Sequence, residues 1–187
     1  MKKLLPALCC LFMLVTLVGC HGEDNEYNAM QTVNDYLTKL SKLDLKGAAE
    51  ITGEVYDEDN FAASGYTADD LKKLMFSNLK YAIRGESYDS SKHRAAVKVN
   101  ITNSDYQSIL QAAQAAVIAD PNNIGLDSAT LNGLVMKKAK KLLKDADKRT
   151  QTVTVLLEKG EDGTFRIIED NAAFHYAITG QDQPDDE

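Results

Sequence analysis

The stretch "HRAAVKVNI", residues 93–101, decides the fold. Ala95, Val97, Val99 and Ile101 alternate there with Arg94, Ala96, Lys98 and Asn100. A two-residue period belongs to a strand with one face in a core and the other in water. Upstream, "KYAIRGESYD" (80–89) can return against it across a turn near Ser90 and Ser91. A second hairpin is legible further on: Val153, Val155 and Leu157 alternate before "EKGEDG" (158–163), and "TFRII" comes back after Gly163.

Away from these strands the apolar spacing lengthens to three and four. Met30, Val33, Leu37 and Leu40 form one stripe on a helix of about 15 residues. Leu43, Leu45, Ala48, Ala49 and Ile51 suit a short second helix that stops at Gly53. After the acidic stretch "GEVYDEDNFAASGY", which reads as a loop, Thr67 and Asp70 resemble a capping box in front of Leu71, Leu74, Met75 and Leu79. Between the hairpins, Ser104 and Gln107 offer another capping box before Tyr106, Ile109, Leu110, Ala113 and Val117, and "DPNN" (120–123) ends that helix. Leu131, Leu134, Val135, Leu142 and Leu143 mark a further one. The expected class is α+β: a curved antiparallel sheet of two hairpins, with N-terminal helices packed on it and a helical insertion between the hairpins.

At 187 residues, 44% apolar and 26% charged, the chain suits one globular domain, placed at 29–180, behind a leader and ahead of a polar tail, 181–187, whose composition argues for disorder. Lys2 and Lys3 followed by the apolar run from Leu4 to Val18 have the charged start and short hydrophobic middle of a secretory signal peptide over 1–19. A membrane-spanning helix is the rival reading. It calls for about 20 apolar residues and usually a basic flank, whereas "HGEDNE" follows here. Loss of Lys2 and Lys3 with the leader leaves 19 basic against 28 acidic side chains, so the formal charge moves from −7 to −9. A surface of that sign repels nucleic acid and anionic headgroups alike, so neither nucleic-acid binding nor electrostatic adhesion of the body to a membrane is expected.

Cys9 and Cys10 lie inside the leader and Cys20 ends it, so the chain beyond Cys20 can form no internal disulfide, cysteine metal cluster or redox pair. His21, His93 and His175 are too scattered to suggest zinc. Metal binding by carboxylates alone stays open, although "DEDN" (57–60) lacks the spaced ligands of a calcium loop. No GxSxG, Walker-type or HExxH pattern is present, and no cofactor is expected.

Leu17, Val18, Gly19 and Cys20, "LVGC", resemble the lipobox of bacterial lipoproteins. That resemblance implies a diacylglyceryl thioether on Cys20, which becomes the mature N-terminus and holds the protein on the extracytoplasmic face of the cell membrane. The other reading of Cys20 is the residue that follows an ordinary cleavage site. Each buried methylene contributes about 0.8 kcal/mol, so two or more acyl chains anchor stably where one does not. Residues 20–28 then form the lipidated N-terminus and a polar tether.

The order of helices and hairpins, together with the closing "FRIIEDNAAFHYAITG" (165–180), resembles the nuclear transport factor 2-like fold found in lipoproteins of Gram-positive bacteria. Phe165, Ile167, Asn171, Phe174, Ala177, Thr179 and Gly180 carry the likeness. Phe165 stands where tryptophan is expected, and the helical segment 104–148 lengthens the connection between strands. The resemblance implies a cone whose mouth can hold a small molecule, and in some relatives an aspartate and histidine pair is catalytic. No such dyad is legible. His175 is the one candidate general base, because imidazole titrates near neutrality; the plainer reading is a terminal-helix residue beside Phe174 and Tyr176. His93, at the head of a strand beside Arg94, is expected to face solvent.

Lys137, Lys138, Lys140, Lys141, Lys144, Lys148 and Arg149 crowd one segment of an otherwise acidic chain. Lysines there complement the C-terminal end of a helix dipole and cover apolar surface with their stems. The sharper reading makes Lys137, Lys138, Lys140, Lys141 and Lys144 a docking strip for an anionic polymer, a lipid headgroup or an acidic envelope protein. The function expected from all this is a membrane-anchored binding or interaction module; the alternatives are an enzyme using the cone pocket for a small molecule, and a ligand-free envelope scaffold.

Overall fold

A computed structural model of the chain describes residues 29–57 and 65–183. The leader, Cys20, the tether and the last four residues lie outside them. The described part runs α1 (Ala29–Ser41), α2 (Leu45–Thr52), α3 (Ala68–Phe76), β1 (Lys80–Asp89), β2 (Arg94–Asn103), α4 (Tyr106–Ile118), a 3₁₀ turn (Pro121–Asn123), α5 (Ser128–Asp145), β3 (Arg149–Lys159), β4 (Phe165–Ile167) and α6 (Ala172–Thr179). The four strands form one antiparallel sheet in the order β1-β2-β3-β4. No helix among the described residues is long and apolar enough to cross a membrane.

The alternation in β2 appears as expected: Ala95, Val97, Val99 and Ile101 are buried, and Arg94 and Lys98 are exposed. Val97 pairs with Glu86 of β1 and Val155 of β3. The β1–β2 register slips between Ile83 and Gly85, a bulge at Arg84 that adds local twist. On the outer face Asn100, with its amide oxygen toward Arg84, accepts from the guanidinium and donates to Thr152 Oγ1, each at 3.0 Å. A side-chain ladder therefore ties three strands together on the wet side.

The inner face is covered by α1, α2 and α6. Val33, Tyr36, Leu37 and Leu40 of α1 meet Phe174, Ala177 and Ile178 of α6 over the strand residues Val97, Val99, Ile101, Val155 and Leu157. Val33, Leu37, Val97, Val99, Ile101 and Val155 are wholly buried, each contributing about 1.5–3 kcal/mol of transfer free energy. The α1 N-terminus is held by the Glu86 carboxylate, which accepts from the Met30 N–H at 2.8 Å where the helix dipole is positive.

A second apolar cluster stands beside the first. Leu71 and Leu74 of α3 pack with Ile109, Ala113 and Val117 of α4 and Val135, Met136 and Ala139 of α5. The insertion between the hairpins is thus a small helical layer with its own core, and α3 joins that layer instead of lying on the sheet. Phe76 alone of the buried α3 side chains reaches the main core. The helix also ends at Phe76, before Leu79, which is buried in the following turn.

The two clusters meet at the end of β2. Asn103 is 1% exposed, and its amide donates to Met75 O at 2.8 Å and Ile178 O at 2.6 Å while its oxygen accepts from the Ser104 N–H at 2.8 Å. Met75 and Ile178 lie in the last turns of α3 and α6, where helix carbonyls lack intrahelical partners. Asn78 reaches Ser104 Oγ at 3.0 Å and Leu143 O, in the last turn of α5, at 3.3 Å. Two asparagines therefore satisfy carbonyls at the C-terminal ends of three helices, and Ser104 links the two. Gly180 closes α6 at φ 74°, and a Cβ there would stand 2.2 Å from Ser104 O.

Ser104 consequently does not cap α4. It is fully buried in this junction, and Asp105 is the N-cap, accepting from the Ser108 N–H at 3.1 Å. Thr67 does cap α3, accepting from the Asp70 N–H at 3.2 Å. Leu43 belongs to the turn before α2, at φ 62°, and Gly53 ends that helix at φ 78°.

Candidate functional site

The lysine-rich segment is the outward face of α5, and its setting is built by the connection from α4. Asn123 Nδ2 donates to Val117 O at 2.7 Å and so satisfies a last-turn carbonyl of α4. Asp120 accepts from the Asn122 N–H at 3.0 Å and opens the 3₁₀ turn, with Pro121 at its first position, where a missing N–H costs nothing. Asp127 then caps α5, accepting from the Thr130 N–H at 3.0 Å and Thr130 Oγ1 at 2.7 Å. Those two bonds hold the Asp127 carboxyl below its ordinary value.

These turns fold the connection back along α5 and leave a cleft of about 300 Å³. Lys137, Lys138 and Lys141 line one side of it, with Leu134 at its floor; Ala116, Val117, Asp120 and Asn123 line the other. Residues 134, 137, 138 and 141 share a face because i, i+3, i+4 and i+7 lie together on a helix. Lys140 points away from that face: its ammonium pairs with Asp70 of α3 at 2.6 Å and holds α5 to α3. Lys144 is exposed in the last turn of α5 and is not part of the cleft, so the dipole account serves it best. Of the five lysines expected to form one strip, three come together.

In the sequence Asp120, Asn123 and Leu134 read only as parts of a helix stop and a helix stripe, not as lining of a site. "DPNN" signals a helix stop, and nothing in it says that the stop returns over the next helix. A clue does exist in Ile124, an apolar residue among turn formers with no periodic partner.

His175 is exposed on α6. Its ring is tilted against Phe174 at 6.1 Å, and among the described residues no carboxylate is bonded to it. His93 is exposed in the β1–β2 turn at φ 53°. The space between the sheet and α1 and α6 is filled by Leu37, Phe174 and their neighbours. A hollow of about 300 Å³ opens at the rim, between α1, α2 and residues 54–57, lined by Tyr36, Leu40, Ala48, Phe76 and Glu54 among others. Burial, with the Glu54 charge second, pushes the Tyr36 phenol up to about 12, so it stays a neutral donor or acceptor there.

No family model matches the chain, and no curated protein does. Among solved structures the chain is similar to the Bacillus subtilis protein described as "a putative lipoprotein (ycdA)", at 15% identity and a TM-score of 0.45. The likeness covers 84% of this chain and 48% of that one, so the chain spans about half the length of the protein it matches. A likeness of that degree assigns neither fold family nor role.

Proposed function

We propose that this is a lipid-anchored protein of the extracytoplasmic face of a bacterial cell membrane, and that its domain works there as an interaction module through its surface. The observation that carries the proposal is "LVGC" at 17–20, directly behind Lys2, Lys3 and an apolar run and directly ahead of an acidic chain. Eight residues, 21–28, separate Cys20 from Ala29, the first residue of α1. We read the sheet, with helices on its inner face, as an arrangement of the nuclear transport factor 2-like kind whose interior is occupied by side chains.

An interaction role is favoured over catalysis by the placement of His175. A general base needs a neighbour that orients it and a pocket that holds the substrate. His175 stands on an exposed helix face, away from both clefts. Mass spectrometry of the N-terminal peptide from the natural envelope tests the anchor: a diacylglyceryl-modified Cys20 as first residue is expected, and an unmodified Cys20 or a retained leader overturns it.

A further inference from the structure

The connection between α4 and α5 combines two features that are separate in sequence. Six large apolar side chains are exposed among the described residues, and three of them, Ile118 at 78%, Ile124 at 82% and Leu126 at 38%, lie within the ten residues 118–127, the last residue of α4 and the connection that follows it. Ile118 directly follows Val117 and Ile124 directly follows Asn123, and Val117 and Asn123 line the cleft of Lys137, Lys138 and Lys141. Exposed apolar side chains close in sequence to a cleft whose ammonium groups enter no ion pair among the described residues suit a contact with a protein or a membrane. Two carboxylates share the link, but Asp120 is turned to the Asn122 N–H and Asp127 to Thr130. Neither forms an ion pair with these three lysines.

We propose that this link is a second membrane contact: Ile118, Ile124 and Leu126 enter the headgroup boundary of the bilayer while Lys137, Lys138 and Lys141 receive anionic lipid phosphates in the cleft behind them. The inference rests on the anchored reading above in one respect, that the bilayer is at hand. Charge complementarity selects its composition. Without its leader the chain carries a formal charge of −9, so the body as a whole is repelled by an anionic surface while this cluster of three lysines is drawn to it. Docking would thus fix the orientation of the domain on the membrane. Lysine suits the task as a point charge on a flexible stem that reaches phosphates without a fixed geometry.

The test uses the mature protein and its variants purified from the natural envelope, with excess vesicles of phosphatidylcholine, with or without phosphatidylglycerol, followed by amide hydrogen exchange and by flotation. Exchange at 118–126 is expected to slow only where phosphatidylglycerol is present, and to recover at high salt. Joint replacement of Lys137, Lys138 and Lys141 by glutamine should lower the docked-to-free ratio on the order of a hundred-fold, at about five-fold for each charge. Ile124→Ser should lower it about ten-fold. Lys140→Gln should leave it unchanged, because that ammonium is held by Asp70. Unaltered exchange in β2 and β3 reports that each variant is folded. Equal exchange with both vesicle types, an unaffected triple variant, or loss of protection when soluble glycerol phosphate is added overturns the assignment to a bilayer. The anchor is read separately. A chain that floats with neutral vesicles but shows no lipid-dependent protection refutes docking alone, whereas one that stays off neutral vesicles yet is protected by anionic ones refutes the anchor alone.

Discussion

Replacing Asn103 by alanine should cost about 4 kcal/mol, far more than a single polar substitution usually does. The change removes two donors and one acceptor from a site that is 1% exposed, leaving Met75 O, Ile178 O and the Ser104 N–H facing one another without partners. Each buried orphan costs about 1–3 kcal/mol, and partial relaxation returns some of the total. In urea the midpoint should fall by about 2 M, given a slope near 2 kcal/mol/M. Circular dichroism of purified protein reads that shift. Thr150→Val is the companion: it breaks the 2.7 Å bond to Thr102 on the exposed face and should move stability by no more than about 0.5 kcal/mol. Asn103→Asp sharpens the case, since it keeps the shape and the acceptor but sets an oxygen against two carbonyls at the negative ends of helices. That carboxyl would have a raised value in the folded state. Its deficit should therefore be full at neutral pH and shrink as pH falls toward about 4, where the unfolded group also takes its proton. A loss below about 1 kcal/mol for Asn103→Ala would show that the three groups find other partners, and would refute the junction as drawn.

Two further outcomes follow from local geometry. Hydrogen bonds from Lys72 and Lys73 hold Asp69 down to about 2, so that ion cluster stabilises fully above the ordinary value of 3.8 and is lost as pH falls through about 2; a thermal melt series over that window should show an acid limb that Asp69→Asn flattens. Gly180→Ala should cost about 3 kcal/mol, the left-handed strain plus displacement of Ser104 O, whereas Gly53→Ala, with no described atom within 4 Å of the new Cβ, should cost only the strain of about 1 kcal/mol; equal losses at the two glycines would refute the close approach.

Much of the architecture was readable because it depends on period. The alternation of 95–101 and 153–157 specified strands whose buried faces the structure repeats, and Thr67 and Gly53 marked helix ends by chemistry that is local to them. What could not be read depends on contacts distant in sequence. Ser104 has the chemistry of a cap but is drawn into a buried junction with Asn78, 26 residues away, and Asp105 takes its place. The lysine segment was visible as charge, yet periodicity could not tell that Lys140 faces Asp70, 70 positions earlier, while its neighbours face a cleft. Ile118 would be assigned to a core by hydropathy and is instead 78% exposed, because α4 is already covered on its other side by α3 and α5.

Asn171 carries one more consequence. Its carboxamide accepts from the Leu156 N–H at 2.8 Å and donates to Leu156 O at 3.0 Å, the bonds a neighbouring strand would make, and it also reaches Ile168 O at 2.6 Å. β4 spans three residues only, so beyond it one amide side chain occupies the rung that an added strand would use. An unguarded sheet border invites copies of a chain to zip together. A plug made from a single residue, locked by the turn into the last helix, denies an incoming chain the Leu156 rung without lengthening the protein.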